Sequence, residues 1–154
     1  MQTIQQAIVR ELYIMRGSDT VTRKEKVAEI VSRKGLYSCM SNTKWKELQN
    51  AIKELPFPPP YILKDVCEEE ANVPNFDTDV NYWGDWGDEA LYNWGYYFAI
   101  EWIKVRPRYT KHQGRLMPEI IADDITEEFL AILKKYSIPY EVDGDVFTIY
   151  GYRK

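Results

Sequence analysis

The sequence predicts an α+β fold, and three observations predict it. Apolar residues recur at helical spacing through the first third of the chain. Aromatic and β-branched runs dominate the second half, and Asp143-Gly144 between two apolar runs is a hairpin signal. We therefore expect a small antiparallel sheet of about four strands, near 61–66, 95–107, 138–143 and 146–152, packed against two helices at 42–55 and 125–136. Helices at 3–16 and 22–34 make residues 1–35 an N-terminal helical appendage to an α+β domain at 36–154.

Each helix has its own start and stop. Ile4, Ile8, Leu12 and Met15 form one stripe, ended by Gly17. Thr22 stands three residues before Glu25, a capping-box spacing that opens a helix through Val27, Ile30 and Val31. Arg33 and Lys34 suit the negative end of that helix, and Gly35 suits a left-handed cap. The next helix begins at Ser41 or Asn42, carries Trp45, Leu48, Ile52 and Leu55 on one face, and stops at Pro56. The last begins at Asp124, with Glu127 three residues on, and presents Ile125, Phe129, Ile132, Leu133 and Tyr136.

The strands follow from composition and punctuation. Pro58, Pro59 and Pro60 cannot donate to a ladder, so they stiffen the approach to a strand at Tyr61–Val66. A polar, acidic stretch from 67 to 81 exceeds the usual connection length, which points to mobility or function. From Tyr96 to Val105 an extended chain places Phe98, Ile100 and Trp102 on one face, and Ala99, Glu101, Ile103 and Val105 on the other. A strand apolar on both faces belongs in the middle of its sheet.

The segments "LYSCMSNTKWKELQNAIKELPF" (36–57), "FAIEWIKVRPRY" (98–109) and "IPYEVDGDVFTIYGY" (138–152) carry a resemblance. With a Met-Ser-Asn-Thr-Lys-Trp helix start, a Leu-Pro-Phe stop and an Ile-Glu-Trp strand, the chain resembles an uncharacterised bacterial domain family of unknown function over about residues 36–152. The resemblance implies one α+β domain and carries no activity or catalytic residue with it.

Composition narrows the function. The net charge of −4 is unevenly spread. Residues 1–54 hold ten Lys and Arg against six Asp and Glu, residues 55–90 hold one against nine, and residues 91–154 hold nine of each. An acidic chain of this kind disfavours nonspecific nucleic-acid binding, which needs a basic face. No apolar run approaches the ~20 residues of a membrane helix, and the N-terminus lacks the pattern of a secretory signal, so a cytoplasmic location is expected. Cys39 and Cys67 are the two cysteines, far apart and outside any C-x-x-C pair. They are expected as reduced structural thiols. His112, the one histidine, sits in a basic stretch expected as an exposed loop.

No nucleophile elbow, phosphate loop or dinucleotide fingerprint is present, so no catalytic residue and no cofactor are assigned. Asp77, Asp79, Asn81 and Asp88 fall in a calcium-loop register, but Tyr82 and Asp88 stand where that loop wants Gly and Glu. No metal is expected there.

Two features carry functional hypotheses. Trp83 and Trp86 each precede Gly-Asp. Either they fold back to cover the sheet, or they stay partly exposed beside Asp85, Asp88 and Glu89, where aromatic anchors ringed by carboxylates suit a basic protein partner. Lys104, Arg106 and Arg108 form the second feature. On an extended chain they make one basic stripe, available to phosphates or committed to the acidic middle of the chain. A protein-binding module of immunity or regulatory type is the favoured reading. A carboxylate enzyme using Glu101 with Asp123 or Asp124, and a nucleic-acid module working through the stripe at 104–115, are the alternatives. The sequence specifies no oligomeric state.

Overall fold

A computed structural model describes residues 22–71, 86, 96–111 and 120–154 of the chain. The expected helix at 3–16 and the calcium-register loop lie outside the described residues. The helices are α1 (Arg23–Lys34), α2 (Asn42–Ala51) and α3 (Thr126–Lys135). The strands are β1 (Tyr37–Ser38), β2 (Tyr61–Asp65), β3 (Ile100–Val105), β4 (Arg108–Lys111), β5 (Ile120–Asp124), β6 (Glu141–Asp143), β7 (Val146–Tyr150) and β8 (Tyr152–Arg153). The chain is α+β, with a four-stranded antiparallel sheet in the order β2-β3-β7-β6. Two ribbons, β1-β8 and β4-β5, flank it.

The caps behave as local chemistry requires. Thr22 Oγ1 accepts the Glu25 N–H, and Gly35 ends α1 at φ 66°. Ser41 Oγ accepts the Lys44 N–H and opens α2. After a 3₁₀ turn at Ile52–Glu54, Leu55 goes extended, as a residue before proline prefers. At the end of α3, Ser137 takes a left-handed φ of 54° while the Ile138 N–H reaches Leu133 O at 2.8 Å. That is a Schellman ending with serine where glycine is usual.

The hairpin is shifted by one residue from the expected turn. Asp143 pairs with Val146, so the central residues are Gly144 and Asp145, and Gly144 takes φ 63°. A positive φ at the first central residue alone is the type II′ pattern.

The main core lies between one sheet face and two helices. Ile103, Val105, Phe147 and Ile149 meet Trp45 and Leu48 of α2 and Phe129, Ile132 and Leu133 of α3, all buried. Each such side chain contributes roughly 1.5–3 kcal/mol by leaving water. A second cluster joins Val27 and Ile30 of α1 to Val66 and Ala99. Together with an Arg23–Asp65 ion pair, it packs α1 onto the domain it was expected to append. Gly151 sits where the backbone passes closest: a Cβ there would lie 2.0 Å from Ile100 O.

Two expectations for the long central strand are corrected. Residues Tyr97–Ala99 form a 3₁₀ turn, so the strand starts at Ile100. Its alternation then breaks at Glu101: Lys64 pairs with Trp102, but Asp65 pairs with Ile100. Glu101 is the extra residue of a β-bulge, and the bulge puts Ile100 with Ile103 and Val105 in the core, away from Trp102. The expected loop after Pro107 also begins as a strand, since Arg108 pairs with Asp124 and Tyr109 with Asp123. His112 lies outside the described residues.

Candidate functional site

Trp86 belongs to the core. It is 4% exposed, its Nε1–H donates to Pro59 O at 2.9 Å, and its ring meets Tyr61 edge-on at 4.9 Å between centroids. An indole that spends its one donor internally and buries its ring is not an anchor for a visiting protein. This corrects the half-exposed reading of Trp86. Trp83, Asp85, Asp88 and Glu89 lie outside the described residues.

The basic stripe does not form as one face. β3 ends at Val105, and Arg106 is buried at 4% exposure, with its N–H on Pro60 O. Lys104 lies over the Trp102 ring, 4.8 Å from its centroid. Arg108 begins the next strand and pairs with Asp145 at 2.7 Å. Pro107 causes the break, because it cannot continue the ladder and re-aims the chain. Arg108 is therefore matched by an acid of the C-terminal hairpin.

The carboxylates considered for catalysis have structural duties. Glu101, delivered by the bulge to the Lys64 face, takes the Lys64 ammonium at 2.6 Å. Lys64 Nζ also donates to Glu68 O at 2.7 Å and Asp65 O at 3.3 Å, so its three donors are all used. Asp65 pairs with Arg23 and accepts the Cys67 N–H at 2.7 Å. Asp123 is exposed. Asp124 accepts from the hydroxyl of Thr126 at 2.6 Å and from its N–H at 2.9 Å, and these two bonds hold its carboxyl below the usual range. The thiols are quiet: burial pushes both Cys39 and Cys67 upward, the opposite of an activated nucleophile. Among the described residues no group of three His, Cys, Asp or Glu side chains could hold a metal ion, and no helix is long and apolar enough to cross a membrane.

A feature that the sequence reading did not single out lies at the other end of the sheet. Among the described residues β6 is an edge strand, bonded to β7 on one side, and Glu141, Val142 and Asp143 are all exposed. Among the described residues, Val142, at 50%, and Tyr37, at 55%, are the exposed large hydrophobic ones. Beside the N-terminal end of β6 lies a half-open groove of about 330 Å³, lined by Tyr37, Cys39, Pro139, Tyr140, Tyr150 and Arg153. The Arg153 guanidinium rests on the Tyr150 ring at 4.7 Å and grips Glu141 at 2.6 Å, which pins the groove to the edge strand. The run Glu-Val-Asp-Gly-Asp displays its acids and its hairpin in sequence. Its edge position follows from strand order, which no local pattern encodes.

A family model matches residues 27–154. The chain belongs to the family of unknown function DUF6678. The family match begins within α1, in keeping with the packing of Val27 and Ile30 into the second cluster. No curated protein and no solved structure matches the chain.

Proposed function

We propose that this family member is a non-catalytic, cytoplasmic binding module, of immunity or regulatory type, that recognises a basic protein. The observation that carries the reading is the exposed acidic edge of the main sheet, where Glu141 and Asp143 flank exposed Val142. Acidic groups around an apolar contact steer and select a cationic partner. The engagement of Glu101 by Lys64 and of Asp124 by Thr126 favours binding over carboxylate chemistry. The acidic balance of residues 55–90, with Asp85, Asp88 and Glu89 among them, supports the same reading.

The test compares the wild-type protein with Asp143→Lys and Asp85→Lys as baits in lysate of the native cell. A basic partner is expected on the wild type, released by moderate salt and lost from at least one reversed variant. If all three baits hold the same proteins irrespective of salt, the reading is wrong.

A further inference from the structure

β6 is one of the two edge strands of the main sheet, and its chemistry can be read in full. β6 bonds to β7 along one side, and its outer main-chain groups have no partner among the described residues. An unpaired edge is a template for an added strand, and proteins guard such edges with short strands and charge. β6 is guarded in both ways, but only by acids. Glu141 and Asp143 lie on one face, Val142 on the other, and Asp145 follows in the turn. Glu141 is paired with Arg153 and Asp145 with Arg108, while Asp143 has no ion pair among the described residues.

Those charges decide which strand can join. A second copy pairing antiparallel about Val142 would set Glu141 opposite the Asp143 of its neighbour, and like charges directly opposite are destabilising. An incoming strand that sets a Lys or Arg beside Asp143, the β6 acid with no ion pair among the described residues, turns the same repulsion into attraction. The groove adds a second contact at the N-terminal end of β6. Its phenol rings and Pro139 make a largely apolar seat, and exposed Tyr37 stands at its side.

We infer that β6 is completed by strand addition: an extended basic segment of the partner pairs with its free edge and seats one side chain in the groove of Tyr37, Tyr140 and Tyr150. The inference rests on the reading of the chain as a binder of a basic protein and names how that protein is held. Main-chain hydrogen bonds supply the affinity, and a basic side chain beside Asp143, with the groove, supplies the choice.

A short synthetic peptide alternating lysine and threonine and ending in tyrosine probes this with the full chain. Binding is read by fluorescence anisotropy at low salt, with amide exchange followed at 141–143. The peptide is expected to bind and to slow exchange at β6. Two controls retain or remove the charge separately: N-methylation of alternate peptide amides retains the lysines, and glutamate in place of lysine reverses them. Each is expected to weaken binding at least ~10-fold, since either the ladder or the charge match is lost. Tyr37→Ala, at an exposed position, is expected to weaken it several-fold.

Equal binding of the N-methylated peptide would overturn strand addition and leave a charge-based partner intact. Failure of the lysine peptide to bind at about 1 mM would also overturn it. The lysate comparison above tests the broader reading separately, because a folded basic partner could be held there without any added strand.

Discussion

Asp124 closes β5 and braces the turn into α3 with one carboxylate, accepting from both the hydroxyl and the N–H of Thr126. Those bonds favour the ionised form, so the folded-state pKa lies below its ordinary value of about 3.9. A depressed pKa means that the stabilisation is fully present above that ordinary value and disappears as pH falls through the folded one. Asp124→Ala removes two hydrogen bonds that solvent screens, and is expected to cost about 0.5–1 kcal/mol at neutral pH. The difference from wild type should shrink toward zero in acid, and Asp124→Asn, which keeps an acceptor, should lose less at neutral pH. Urea midpoints across pH would check this; a difference that does not change with pH would assign the cost to packing. Caps were readable in advance at Thr22 and Ser41, because the interacting groups lie within three residues of each other. The expected start at Asp124 moves on, since Ile125 is the N-cap of α3 and has no side-chain cap bond, and Asp124 braces the turn from the residue before it. The fate of Trp86 was not readable. Its flanking Gly-Asp gives no period, and its partners, Pro59 and Tyr61, lie far away in the chain.

The strands show the same division one level up. β2, β7 and the two-residue hairpin turn follow from composition and punctuation, and the structure moves their bounds by only a residue or two. The bulge at Glu101 could not be read, because it depends on the register between β2 and β3, and the alternation expected across it fails there. The bulge brings Glu101 to Lys64 in a pair whose side chains are 15% and 9% exposed. Removing one partner from such a pair leaves a charge without its counter-ion, whereas replacing both with apolar groups costs little. Lys64→Met is expected to cost about 3 kcal/mol, and Lys64→Met with Glu101→Leu to return within about 1 kcal/mol of wild type. A double-mutant cycle in urea measures this coupling. If the double variant is as unstable as the two single losses added together, the pair does not act as a unit and the bulge has some other purpose.

At the scale of the molecule, the sequence placed a boundary at residue 35, since α1 is amphipathic and well capped and nothing local says where its apolar stripe goes. The answer lies in Val66 and Ala99, at the end of β2 and just before β3. Packing against these residues makes α1 a wall of the domain. Ile30, 7% exposed in that cluster, then becomes a test of cooperativity. Ile30→Ala removes buried methyl and methylene groups and should cost about 2–3 kcal/mol. If α1 and the sheet unfold as one unit, the loss is shared by every probe. The far-UV signal, which reports the helices, and the emission of tryptophans such as Trp45 and Trp86 in the other cluster would shift to lower urea together. An appendage would behave differently: ellipticity would fall early, while the tryptophan transition kept its wild-type midpoint. Coincident midpoints are the expected result, because the Arg23–Asp65 pair and the Val27–Ile30 contacts tie α1 to the strand that also carries Lys64.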